Sequence, residues 1–237
     1  MKLVHLVKHL REYILHDTGG HRIEWKDITE DSDEVVMLRW SNEELTAYIN
    51  EAIRQVYRRI LPVHGYFPEF DIPVLAGQSD YVVDPRILRI LSARLLTEDT
   101  NLCPVDLEQL DYKTNGRWRN HEGTPSNFMV DYTTGALRLY RTPEVDDTLS
   151  LLVNRLPLKE FSWKLKNDSA ELREEFLIPM LDYAAFMAYS KDEPNTLDPN
   201  AADRRRVSFE REFPFTSAYS DVRKRRSTRQ CTRYGGL

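Results

Sequence analysis

The spacing of apolar residues changes twice along this chain, and the order of those changes points to a fold class. Leu3, Leu6, Val7, Leu10 and Ile14 recur every three or four positions, which places them on one face of a helix. His5, His9, Glu12 and His16 occupy the opposite face, and Gly19-Gly20 is a stop signal, so a helix is predicted over 3–18. A second helix is predicted over 41–61. Ser41 and Glu44 form a capping box, in which each side chain satisfies a free N–H of the first turn. Leu45, Ile49, Ala52, Ile53, Val56 and Tyr57 then keep the helical spacing until Pro62.

From about 70 to 156 the period drops to two. Ile72 to Ala76 and Tyr81 to Val83, separated by Gly77-Gln78-Ser79-Asp80, predict a hairpin. Ile90 to Thr97 predicts another strand, and Asp106 to Asp111 a helical turn. Phe128, Val130 and Tyr132 alternate, Thr133-Thr134-Gly135 turns, and Leu137 with Leu139 alternates back. Leu149, Leu151 and Val153 complete an expected antiparallel meander with one buried and one wet face.

The helical period then returns. Asp168 and Glu171 offer a second capping box for a helix over 169–190, which Pro179 should kink or divide. Asp198-Pro199 reads as a cap followed by a proline at the first helical position, opening a helix over 199–213. Helices and strands arrive in runs, so the expected class is α+β. The expected architecture is a bundle of about four helices with an inserted antiparallel β-meander and an extended C-terminal tail. Residues 21–39, with Glu30, Asp31, Asp33 and Glu34, read as a loop or short hairpin.

Charge divides the chain at residue 218. Residues 219–237 carry Arg223, Lys224, Arg225, Arg226, Arg229 and Arg233 against Asp221, a side-chain charge of +5. The chain as a whole is at −5, so residues 1–218 hold −10. The tail has too little apolar surface to offset its own ordering entropy, which makes it an arm awaiting a partner. Tyr219 and Tyr234 flank its cations and suit anchoring, since Tyr and Arg are favoured at interface hot spots. Nucleic acid would also accept such an arm, but the acidic body opposes a phosphate backbone.

Enzymatic signatures are missing. The chain holds no G-x-x-x-x-G-K-[ST], no G-x-G-x-x-G, no G-x-S-x-G, no C-x-x-C and no H-E-x-x-H. His5, His9 and Glu12 have spacings that could share a metal, yet a fourth ligand must come from elsewhere and His16 lies too far along the helix. A polar face that meets water or a neighbouring subunit is the preferred reading. The acidic pairs Asp31/Asp33 and Asp146/Asp147 read as solvated loop charge, and Arg204-Arg205-Arg206 as a solvated helix face. Cys103 and Cys231 are far apart in sequence, so no structural disulfide is expected and a reducing compartment is the simpler setting. No apolar run approaches the roughly 20 residues of a membrane span, and the charged N-terminal helix is a poor signal peptide.

In motif order the chain resembles the head-to-tail adaptor (connector) proteins of tailed bacteriophages. The resemblance runs over most of residues 3–213. It rests on the N-terminal helix ending in HDTGG, then RWSNEELTAYINEAIRQVYRRI, LAGQSDYVVDPRILRILSARL and GTPSNFMVDYTTGALRLYRTPEVDDTLSLLVNRLPL, and the closing EEFLIPMLDYAAFMAYSKDE. LAGQSDYVV is similar to a Gly-x-x-x-Tyr segment of that family, with Val83-Asp84-Pro85 in place of its usual Leu-Pro step. The acidic stretch 21–39 looks like an insertion.

The resemblance implies a non-enzymatic virion protein of the neck, without cofactor, made in the host cytoplasm. It implies a ring, commonly of twelve copies, between the portal and the next tail or nozzle component, with DNA passing through the lumen. It also implies that the C-terminal segment grips the portal, which makes Tyr219, Arg223, Lys224, Arg225, Arg226, Arg229, Arg233 and Tyr234 the candidate portal contacts. His5, His9, Glu12 and His16 are the candidate subunit contacts. A nucleic-acid-binding protein using the arginine tail as an electrostatic arm is the alternative.

Overall fold

The computed structural model describes residues 1–17, 38–60, 64–130 and 135–215, apart from the side chain of Lys113. The chain forms two compact units. One comprises Met1–Pro62 and Pro157–Thr216, and the other contains Val63–Leu156.

The first unit is helical. Helix α1, Leu3–His9, runs into a π-helical segment, Leu10–Leu15. His16, in a left-handed conformation, ends it before Gly19 is reached. Helix α2, Asn42–Ile60, begins as the sequence predicts: the Ser41 N–H donates to Glu44 Oε2 at 2.8 Å, and the Glu44 N–H donates to Ser41 Oγ at 3.1 Å. Its apolar stripe is buried, including Leu45, Ile49, Ala52 and Val56. Each fully buried Leu or Ile contributes roughly 1.5–3 kcal/mol.

The helix predicted over 169–190 is shorter and divided. Helix α4 is Glu174–Leu177 and α5 is Leu181–Tyr189; α3, Leu107–Thr114, belongs to the second unit. Pro179 lies in the break, since it can neither donate an N–H nor avoid the preceding turn. Asp168 and Glu171 do not cap a helix. The Asp168 carbonyl instead accepts from the Leu3 N–H at 3.0 Å, and Lys166 accepts from Val4 at 3.0 Å. The 166–169 segment therefore takes up free donors of α1's first turn, a long-range use that local spacing does not reveal. Ala184, Ala185 and Ala188 on α5 are fully buried and leave room for its neighbours to approach closely. Helix α6, Pro199–Glu212, starts with Asp198 accepting from the Ala201 N–H at 2.9 Å, as its sequence predicts.

The second unit is built on an eight-stranded sheet. Its strands are β1 His64–Tyr66, β2 Ile72–Val74, β3 Asp80–Val82, β4 Ile87–Leu95, β5 Thr100–Pro104, β6 Asn127–Val130, β7 Ala136–Tyr140 and β8 Asp147–Arg155. Helix α3, Leu107–Thr114, lies between β5 and β6. Strand β8 is central, pairing with β4 on one side and with β1 and β2 on the other. The order continues β4-β5-β6-β7-β3.

This overturns the expected architecture of a helical bundle carrying an inserted antiparallel meander. The sheet is mixed, because β5 and β6 pair in parallel, and it is a principal element of the fold. A parallel pair needs a crossover, which α3 and the turn Arg117–Asn120 supply. The β2–β3 hairpin is also corrected. Ile72 faces Leu149 on β8, whereas Tyr81 faces Leu137 on β7. Alternation identifies strand residues but is blind to partners. The β6–β7 pairing is antiparallel, as expected. Two register shifts in β4 mark bulges that bend it.

Cys103 on β5 is disulfide-bonded, against the expectation from sequence separation, which does not measure distance in space. Cys231, the other half of that expectation, lies outside the described residues.

Candidate functional site

The predicted polar face of the N-terminal helix is present. His5 and His16 are exposed, while His9 and Glu12 are half-buried. Lys8 and Glu12 form an i, i+4 ion pair at 3.6 Å. The spacing argument missed Tyr13, which is 65 % exposed and places its ring 4.9 Å from that of His9. Its i+4 position from His9 was the available signal. No group of three or more His, Cys, Asp or Glu among the described residues could hold a metal ion.

Arg11 lies on the other face. Its charge looks like an interruption of an apolar helix, yet it stands four residues after Val7 and three before Ile14, on the buried side. Its side chain is fully buried and pairs with Asp17, itself 2 % exposed. The guanidinium also donates to the Trp40 carbonyl at 2.6 Å and to Asn42 Oδ1 at 3.0 Å. Asp17 accepts in turn from the Arg39 N–H at 2.9 Å. Burial lowers the Arg11 pKa, opposed by the attraction of Asp17. The chain on either side of residues 18–37 is thereby tied together. The expected loop or hairpin itself lies, over 18–37, outside the described residues.

At the far end of α2, Arg59 is buried and donates to the Phe213 carbonyl at 3.0 Å. Its guanidinium lies 4.9 Å from the Phe209 ring centre and 4.0 Å from that of Phe215. Phe209 and Phe213 are buried with ring centres 5.0 Å apart. Sequence reasoning passed over Arg59. Its place three residues after Val56, on the buried stripe, and the Phe213-Pro214-Phe215 run were the available signals.

The run Arg204-Arg205-Arg206 is not a uniform solvated face. Arg205 pairs with Asp182 on α5 at 2.9 Å, and Arg206 with Asp203 at 2.7 Å. Arg204 is exposed.

The pair Asp146/Asp147 is not merely solvated loop charge either. Asp146 Oδ1 accepts from the Ala76 N–H at 2.7 Å. Asp147 accepts from the N–H groups of Thr97 at 2.8 Å and Glu98 at 3.2 Å, which ties the β4–β5 turn to the start of β8. Burial pushes the Asp147 pKa up, but these backbone donors outweigh it and leave the group below its usual value. Asp147 lines a depression whose walls include Val74, Leu95, Pro125, Pro143 and Val145. Asp31 and Asp33 lie outside the described residues.

The Gly-x-x-x-Tyr segment is a turn stapled by one side chain. Gly77 adopts φ +78°, and the Tyr81 hydroxyl donates to the Gln78 carbonyl at 2.7 Å while accepting from the Leu75 N–H at 3.2 Å. The chain thus leaves the edge of β8 for the edge of β7.

The candidate portal contacts Tyr219, Arg223, Lys224, Arg225, Arg226, Arg229, Arg233 and Tyr234 all lie outside the described residues. No described helix is long and apolar enough to cross a membrane. No curated protein matches the chain. The family described as SU10 adaptor protein matches it over residues 3–234.

Proposed function

The chain belongs to the SU10 adaptor protein family, a family of phage structural adaptors, and from that premise we propose that it forms a ring between the portal and the tail. In this reading twelve copies assemble in the virion neck after synthesis in the host cytoplasm. The C-terminal arm, 219–237, docks on the portal, and a downstream tail or nozzle protein meets another surface. DNA passes through the lumen without specific binding during ejection.

The observation that carries the reading is the reach of the family match. It spans both units and ends at 234, inside the basic arm. The charge division supports the role of the arm. A +5 segment on a −10 body offers cations to an acidic partner, while the body discourages adhesion of the passing duplex. Multiple arms on one ring would act with avidity. The polar face of His5, His9, Glu12 and His16 is the proposed contact with a neighbouring subunit.

The test is binding to the cognate portal ring, full-length chain against a chain ending at Ala218. Stoichiometric binding by the first and none by the second upholds the adaptor and its arm. If neither binds the portal while the full-length chain holds duplex DNA in a salt-sensitive way, the nucleic-acid arm replaces this reading.

A further inference from the structure

We infer that Arg59 is a positioning residue that clamps the root of the C-terminal segment to the end of α2. Helix α6 ends at Glu212, and Phe213 leaves helical geometry with φ −119° and ψ 71°. Pro214 has no N–H with which to extend it. The next residues therefore need another source of order. For Phe213 that source is burial, with its ring centre 6.0 Å from Phe176 and 5.0 Å from Phe209, together with the hydrogen bond from Arg59 to its carbonyl.

Phe215 differs. It is 57 % exposed, so burial alone does not place it. Its ring nevertheless sits 4.0 Å from the Arg59 guanidinium, closer than the 4.9 Å of Phe209. A planar cation held by a buried helix end offers the ring an attractive platform whose strength depends on the π face. One side chain thus ties α2, the last turn of α6, and Phe213 and Phe215 beyond it. The chain through Phe215 is thereby fixed to α2 as well as to α6.

The clamp stands on these contacts alone; its use in docking rests on the function proposed above. The test uses the full chain with F215L, F215W and R59K. Replacing Arg59 by a small residue risks unfolding, so the half-exposed Phe215 carries the comparison. Leucine keeps apolar bulk and loses the π face, whereas tryptophan keeps both. The first readout is amide exchange across Phe213 and Phe215. The expected result is roughly two- to fivefold faster exchange in F215L, the size of a half-exposed cation–π contact, with F215W at the wild-type rate and R59K at least as fast as F215L. Equal exchange in F215L and wild type overturns the clamp.

The second readout is the rate of dissociation from the portal ring. A faster rate in F215L, restored by F215W, supports a role in docking. An unchanged rate beside faster exchange removes that role and leaves the clamp. Failure of the wild type to bind the portal removes the proposed function, and the exchange readout still decides the clamp.

Discussion

Arg11 and Asp17 form an ion pair in which both side chains are out of water, 0 % and 2 % exposed, at the base of the segment joining the first two helices. Each side has further partners: Arg11 donates to the Trp40 carbonyl and Asn42, and Asp17 accepts from the Arg39 N–H. Breaking such a pair from one side leaves a buried charge without compensation. Asp17→Ala should therefore cost about 3–5 kcal/mol in chemical denaturation. The double variant Arg11→Met with Asp17→Leu should lose less than Asp17→Ala alone, because no charge is stranded. A double variant as unstable as the single one contradicts this account.

The α2 cap predicts an acid-sensitive start to the helix. Lys191 donates to the Glu44 carboxylate at 2.6 Å, and with the Ser41 N–H it holds the Glu44 pKa below the ordinary 4.5. A depressed folded-state pKa stabilises the fold above the unfolded value and is lost as pH falls through the folded one. Stability should decline below about pH 4.5 with a contribution that Glu44→Gln removes, visible as a flatter acid limb in melting experiments. Ser41→Ala should cost about 1 kcal/mol at neutral pH.

Tyr81→Phe isolates the hydroxyl that staples the Leu75–Gln78 turn. The ring stays buried against the sheet, so the loss is that of hydrogen bonds to backbone groups, about 1–2 kcal/mol. Faster amide exchange at Leu75, with β8 unaffected, is the expected signature. No change at Leu75 would show that the turn holds without the hydroxyl.

Tyr13→Ala separates assembly from stability. The side chain is 65 % exposed, and its removal should alter stability by no more than about 0.5 kcal/mol. If the N-terminal helix face meets a neighbouring subunit, ring formation on the portal should weaken, since exposed Tyr is a favoured interface anchor. Undiminished ring formation, seen by electron microscopy or mass photometry, would remove this face from the subunit contact.

Replacing Arg223, Arg225, Arg226, Arg229 and Arg233 together by Gln tests the charge of the arm apart from its presence. Portal binding should fall and lose its dependence on salt. The melting temperature should stay unchanged, because the sequence of the arm carries no apolar stripe for a core to bury. Binding that persists at full strength would assign docking to the tyrosines or to the body.

Local rules were legible wherever neighbours in sequence decide the outcome. Helix α2 with its Ser41–Glu44 cap, helix α6 with Asp198, the break at Pro179 and the β6–β7 ladder all follow from residues a few positions apart. So does the family resemblance, whose Gly77 and Tyr81 prove to be one stapled turn. The polar face of His5, His9 and Glu12 was legible for the same reason, because helical periodicity sets which side a residue takes.

What only the tertiary structure decided concerns partners distant in sequence. Alternation marked β2 and β3 as strands but could not send one to β8 and the other to β7, since a period of two is the same beside any neighbour. It could not place β5 parallel to β6, nor make 166–169 a partner of α1. Arg11 and Arg59 were hidden by their charge. A guanidinium reads as surface until its acceptors are known, and Trp40 and Phe213, which take those donors, lie 29 and 154 residues away. Burying a cation is costly without acceptors and tolerable with them. Helix spacing thus determined the stripes from within the sequence, while the long-range acceptors that let charge enter them existed only once the chain had folded.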